Sequence, residues 1–211
     1  MEVGSVVKIL RSKLGRPVLD GYRDPYRVLI ATILSQRTRD ENTKLAAEAL
    51  FKKYPDASSL SKAPLLQIEK LIRPSGFYHN KARTIKKVAK LVESGVPNNI
   101  DSLLQLPGVG RKTANCVLVY AYKQPAIPVD THVHRISNRL GWVKTKTPEE
   151  TEAALTEKIP KHYWIELNSL MVRLGQTICK PITPHCYECP ITRHCAYKNK
   201  TTSPQNLLNS P

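Results

Sequence analysis

The chain has 211 residues, 41% of them hydrophobic, enough for one large domain or two small ones with a sizeable core. Its 33 Lys and Arg face only 17 Asp and Glu, a net charge of +16; such a surplus suits an anionic partner, and nucleic acid is the class it favours. No run of eighteen apolar residues occurs, which excludes a transmembrane helix, and the start MEVGSVVKILRSKLGRP lacks a signal-peptide pattern, so an intracellular protein of the cytoplasm or nucleoid is expected.

Helical periodicity runs through the whole chain. PYRVLIATILSQ reads as an apolar helix with Pro25 in its first turn. DENTKLAAEALFKKY follows, with Asp40 as N-cap and Leu45, Ala49 and Phe51 along one side. APLLQIEKLI is a short helix begun at Pro64, and RPSG breaks it. NKARTIKKVAKLVESG places Ala82, Ile85, Val88, Ala89 and Val92 on an apolar face, with Lys81, Arg83, Lys86, Lys87 and Lys90 opposite, and stops at Gly95. IDSLLQL and KTANCVLVYAY are helices on either side of the turn PGVG. DTHVHRISNRLG has an Asp start and a Gly stop, and TPEETEAALTEKI opens on a capping box from Thr147 to Glu150. HYWIELNSLMVRLG is amphipathic, and NKTTSPQNLLNSP, residues 199–211, reads as a frayed polar tail. No alternating strand is found, so the fold class expected is all-α, with about ten helices and short loops.

Four of the five cysteines, Cys179, Cys186, Cys189 and Cys195, fall within seventeen residues with spacing C-x6-C-x2-C-x5-C. In a reducing compartment such a group reads as metal ligands rather than disulfides. Zinc and a [4Fe–4S] cluster both accept four thiolates. A zinc ribbon has two C-x2-C knuckles and this window has one; the uneven wrap suits a cube better. Cys116, alone on an apolar helix, reads as a buried core residue.

IDSLLQL, PGVG and RKTANCVLVYAY form a helix–hairpin–helix. Gly108 and Gly110 permit backbone angles closed to other residues and uncover amides at a helix N-terminus, where an anion such as a DNA phosphate is favoured. Arg111 reads as a phosphate or structural contact. Lys112 sits in the first turn of the second helix, already the positive end, where a neutral amine is preferred to an ammonium. A neutral amine is a nucleophile able to form a Schiff base, although one more phosphate contact is the plainer use of such a lysine. Asp130 starts a helix eighteen positions later. It reads as an N-cap, and its carboxylate has the chemistry to deprotonate the amine and to stabilise cationic charge on a sugar.

LPGVGRKTA, VDTH and the cysteine spacing together resemble the endonuclease III family of base-excision DNA glycosylases, within the helix–hairpin–helix glycosylase superfamily, from PYRVLIATILSQRT to Cys195. The resemblance implies a six-helix barrel over residues 20–126, a discontinuous cluster domain from 1–19 and 127–211, and a DNA-binding groove between them. It implies a monomer acting on damaged double-stranded DNA, with a [4Fe–4S] cluster held by the four cysteines and no membrane. It further implies that Lys112 attacks C1′ of a flipped nucleotide with Asp130 as partner, removing oxidised pyrimidines and cutting 3′ to the abasic site by β-elimination. SGFYHNKA resembles the family's intercalating loop, with Phe77 where leucine is common. ILSQRTRD resembles its plug segment, but Arg37 stands where the family has glutamine, and Gln36 is one position earlier; either is placed to fill the gap or read the orphaned base. A mismatch-directed thymine or uracil glycosylase of the same fold is the alternative, and a non-catalytic DNA-binding module with structural zinc a third.

Overall fold

The computed structural model describes residues 3–14 and 22–203. Among them there is no strand, and the regular structure is eleven α-helices and three 3-10 turns. Helix α1 spans Val3–Leu14, α2 Pro25–Ser35, α3 Asp40–Lys53, α4 Ala57–Lys62, α5 Leu65–Leu71 and α6 Tyr78–Leu91. They are followed by α7 Ile100–Leu104, α8 Arg111–Tyr120, α9 Thr131–Leu140, α10 Pro148–Lys158 and α11 Trp164–Thr177. The chain divides into two compact units, Gly21–Gln124 and Met1–Asp20 with Pro125–Pro211.

In the unit Gly21–Gln124, α2 is buried nearly all round: Val28, Leu29, Ile30, Ile33 and Leu34 are each 4% exposed or less. A helix apolar on every side must be surrounded, and α2 packs on α3, α6 and α8. Asp24 starts it, accepting from the Arg27 amide at 2.9 Å, with Pro25 at the first helical position. Helix α3 differs from the expectation in two ways. Its N-cap is Arg39, which has no side-chain cap bond, and Asp40 lies inside the first turn, where a carboxylate favours the helix dipole without capping it. Its buried face is Ala46, Ala47, Leu50 and Phe51, whereas Leu45 is 58% exposed. Helix α6 buries Ala82, Ile85, Val88 and Ala89 as its spacing predicts. Lys81, expected on the solvated face, is instead buried at 6% exposure.

The second unit is built on α11, against which α1 and α9 pack, with α10 on α9. Its core joins Val6, Val7, Leu10, Val133, Ile136, Leu140, Leu167, Met171 and Leu174, and Cys179, Cys189 and Cys195 pack against that core. Close approach of α9 and α11 requires Gly175: a Cβ there would stand 2.3 Å from Nδ1 of His132. Thr147 caps α10 by accepting from the Glu150 amide at 3.2 Å. The reciprocal half of the expected box is displaced by one residue, since the Glu150 carboxylate accepts from the Lys146 amide. Of the expected tail, residues 204–211 lie outside the described residues. Its beginning is fastened: Thr201 Oγ1 accepts from the Cys186 amide at 2.9 Å, and Lys200 donates to the Thr192 carbonyl at 3.0 Å.

Candidate functional site

The turn between α7 and α8 is closed by the Val109 amide donating to the Leu106 carbonyl at 3.2 Å. Gly108 and Gly110 prove to be glycines for different reasons. Gly108 has φ +74°, and a Cβ on it would meet Thr84 Cγ2 at 2.7 Å, so backbone and packing both demand glycine. Gly110, the N-cap of α8, has φ −94° and ψ 178°, open to any residue, and a Cβ there would meet nothing within 4 Å. Among the described residues nothing requires glycine at 110.

No side chain caps α8, and its first turn holds no acidic residue. Instead it carries exposed Arg111 and half-buried Lys112. A cation at this end costs a helix ~0.3–1 kcal/mol, so local stability does not explain two of them. Beyond them Thr113 to Tyr120 are all buried, Cys116 at 1% exposure among them, so Lys112 rides on a rigid stem.

Asp130 is the N-cap of α9, in the other unit. Its Oδ1 accepts from the amides of both His132 and Val133 at 2.9 Å. One oxygen thus does the capping, which orients the carboxylate and keeps Oδ2 outside the cap. His132 Nδ1 lies 3.1 Å from Nη2 of Arg135, and the same Nη2 donates to the Cys179 carbonyl at 2.8 Å. One turn further on, Arg139 donates to Cys179 Sγ at 3.3 Å and to the Lys180 carbonyl at 2.7 Å. Helix α9 therefore carries Asp130 at its start and grips the first cysteine near its end.

Cys179, Cys186, Cys189 and Cys195 line one cavity, with Arg139, Ile178, Pro184 and Tyr197 among its walls. Burial, and charge from the neighbouring cysteines, push the Cys189 thiol up to about 11 and the Cys195 thiol in the same direction. Four thiolates in this space need a cationic centre to offset them. Among the described residues no three His, Cys, Asp or Glu side chains are grouped to hold a single metal ion. The donor set, four thiols lining one cavity, has the chemistry of an iron–sulfur group.

Gln36 and Arg37 follow α2 and are both exposed. The Gln36 amide is engaged: Nε2 donates to the Gly108 carbonyl at 2.9 Å. Arg37 has φ +52°, and its guanidinium carbon lies 5.9 Å from the centre of the Phe77 ring. Phe77 is 62% exposed and itself has φ +59° as the residue before α6. Two adjacent non-glycine residues in the left-handed region cost ~1–3 kcal/mol each, and such strain persists only when the surroundings impose it.

Between these two loops lies Lys81, a residue that the periodicity of α6 places on the solvated face and the fold buries. Its Nζ donates to the carbonyls of Leu34 at 2.7 Å and Gln36 at 2.6 Å, to Thr38 Oγ1 at 2.8 Å and to Ser75 Oγ at 2.9 Å. Ser75 in turn donates to the Leu34 carbonyl at 3.0 Å. The only hint in sequence is the polar, turn-rich character of both loops. Three of the four acceptors lie more than forty positions away, beyond any local pattern.

The family model described as HhH-GPD superfamily base excision DNA repair protein matches residues 30–161. Endonuclease III of Thermotoga maritima is 53% identical over 178 residues, 82% of this chain and 84% of that protein. Among solved structures, a trapped endonuclease III–DNA covalent intermediate, an estranged-adenine complex, is similar with a TM-score of 0.84 and 35% identity, covering 92% of this chain and 93% of that one. A thermostable thymine-DNA glycosylase is similar with a TM-score of 0.80 and 27% identity, covering 92% and 94%.

Proposed function

The chain belongs to the HhH-GPD superfamily of base excision DNA repair proteins, on its endonuclease III branch, and from that premise we propose that it is a bifunctional DNA glycosylase and abasic-site lyase acting on oxidised pyrimidines in double-stranded DNA. The observation that carries the lyase half is Lys112, in the first turn of an uncapped helix directly beyond a glycine turn whose second glycine has no internal reason to be one.

The damaged nucleotide is drawn out of the stack. Lys112 Nζ, as the neutral amine, attacks C1′ of the sugar while the C1′–N bond breaks and its electron pair leaves with the base. The Asp130 carboxylate takes up the proton the amine loses and offsets positive charge on the sugar during attack. Ring opening leaves a protonated imine between Lys112 and C1′, which acidifies the C2′ proton. Loss of that proton expels the 3′ phosphate by β-elimination, and water then hydrolyses the imine to free the lysine. Gly108, Gly110 and Arg111 hold the strand by its phosphates, without reading sequence. Phe77 and Arg37 occupy the gap left by the flipped nucleotide, inserted groups offsetting part of the unstacking cost.

Cys179, Cys186, Cys189 and Cys195 hold a [4Fe–4S] cluster, which when bound folds the loop around it and supplies none of the steps above. Stoichiometric iron and sulfide in purified protein support this assignment; zinc without either, in anaerobically handled protein, overturns it.

A second reading, removal of thymine or uracil opposite guanine, is favoured by one observation. With the Gln36 amide bound to Gly108, Arg37 is the side chain left to meet the orphaned base, and arginine pairs preferentially with guanine. Borohydride trapping and strand cleavage on duplexes bearing thymine glycol, dihydrouracil, uracil or thymine opposite guanine, and an abasic site test both readings. Adducts and nicks at the oxidised pyrimidines support the first; excision confined to the guanine mismatches supports the second.

A further inference from the structure

We propose that Lys81 is a positioning residue that pins the Gln36–Thr38 and Ser75–Phe77 loops together, so that Arg37 and Phe77 meet DNA as one preformed wedge. This rests on the assignment of Phe77 and Arg37 to the gap, and it adds the device that holds them there.

Three observations lead to it. First, Lys81 spends every proton of its ammonium inside the protein, on four oxygens that belong to those two loops and the end of α2. Each of the four is a neutral carbonyl or hydroxyl, so the arrangement gains geometry rather than charge neutralisation. Second, the loops fit closely where they meet: a Cβ on Gly76 would lie 3.5 Å from the Arg37 carbonyl and 3.8 Å from Thr38 Oγ1. Third, Arg37 and Phe77 both hold left-handed backbone angles, and they present an exposed cation beside an exposed ring. Strained angles side by side, with a buried tie directly beneath, are the arrangement expected of a surface built to insert without first being ordered.

Each tie is also short of substitutes. Methionine fills a similar volume but donates to none of the four oxygens, leaving the Leu34 carbonyl with Ser75 Oγ alone and the Gln36 carbonyl with Thr38 Oγ1 alone, and nothing that joins the two loops through position 81. Arginine brings a planar fork in place of a compact tripod of protons. Pinning is therefore lost in Lys81→Met, and Lys81→Arg restores it incompletely.

The chain supplies its own reporter, because it has only two phenylalanines, Phe51 and Phe77. Phe51 is 5% exposed and stands edge-on to the rings of Tyr22 and Tyr26, so it reports the core. Protein labelled with 4-fluorophenylalanine therefore gives two fluorine resonances, one for the wedge and one for the fold. In Lys81→Met the Phe77 resonance is expected to sharpen and move towards the value of a denatured chain, with Phe51 unmoved. If Phe51 moves as well, the fold has been damaged, and Ser75→Ala, which removes one acceptor and leaves the other three, repeats the test. A Phe77 resonance unchanged in Lys81→Met, or in Ser75→Ala where the first variant unfolds, overturns the proposal.

Activity gives the second arm. Base excision from duplex DNA is expected to fall about tenfold in the variant, while trapping on an abasic site in single-stranded DNA, which has no gap to fill, changes less than about twofold. Equal losses on the two substrates contradict a role in the wedge. Should wild-type protein give no adduct on any substrate, the glycosylase reading fails, while the fluorine spectra of free protein still decide whether Lys81 pins the loops.

Discussion

The two glycines of the hairpin are two positions apart and should fail in opposite ways. Gly108→Ala forces a left-handed angle on alanine, a cost of ~1–2 kcal/mol. It also drives a Cβ to 2.7 Å from Thr84 Cγ2, inside any real contact. Overpacking of this kind adds ~1–3 kcal/mol, so a total near 3 kcal/mol is expected. For a chain of this size that is a fall in Tm of roughly 6–12 °C. The steric part is separable: Thr84→Ser removes the methyl in question, so the Gly108→Ala/Thr84→Ser double variant should recover it and leave the backbone cost. Gly110→Ala has an allowed φ of −94° and meets no atom within 4 Å. Its stability should change by less than about 1 kcal/mol, the cost of a poorer N-cap. Its affinity for a duplex with a stable abasic-site analogue should nevertheless fall about ten- to a hundredfold, because a methyl group stands where a phosphate approaches bare amides and a charge-assisted hydrogen bond is worth about 1.5–3 kcal/mol. Thermal denaturation and fluorescence anisotropy on both variants decide the matter. A Gly108→Ala protein as stable as wild type, or a Gly110→Ala protein that binds as tightly, refutes the division of labour.

Three further outcomes follow from the geometry. Asp130→Asn keeps an N-cap acceptor for His132 and Val133, so stability should hold within about 1 kcal/mol, while the rate of Schiff-base trapping falls about a hundredfold or more. Gly175→Ala puts a Cβ 2.3 Å from His132 Nδ1, and chemical denaturation should show a loss of several kcal/mol, about 3 or more, as α9 and α11 are forced apart. Burial pushes the Lys81 ammonium down from its ordinary 10.5 to about 8. Between those values the unfolded chain holds the proton and the folded chain does not, so this group's contribution to stability rises with pH. The stability of wild type relative to Lys81→Met should therefore increase as pH rises from about 8 towards 10, measured by urea denaturation at each pH.

The elements that local chemistry specifies were legible in the sequence. Pro25, Asp130 and Gly141 mark helix ends through chemistry confined to residues at most four positions away, and each marks an end in the structure. The cysteine spacing and the glycine turn are likewise local, and they carried the family resemblance. Readings failed where distant partners decide. Lys81 matches a solvated lysine in period, and only the folding of two loops around it makes it a buried tie. Leu45 and Ala46 are equally apolar to a pattern, yet α2 and α5 cover only the face that holds Ala46, Ala47 and Leu50. The Gln36 amide ends on a carbonyl seventy-two residues away, a contact no neighbouring residue announces. Thr84 and Gly175 carry no local signal for the same reason: each matters through its close approach to another helix or turn.

The central claim is that Lys112 is the nucleophile, and its most direct test is the identity of the residue that becomes joined to DNA. Protein incubated with abasic duplex and borohydride is digested, and the peptide carrying the reduced sugar is located by mass spectrometry. The adduct is expected on Lys112, and Lys112→Ala should still bind the duplex but yield no adduct. An adduct on any other lysine or on the chain's amino terminus, or an undiminished adduct in Lys112→Ala, contradicts it.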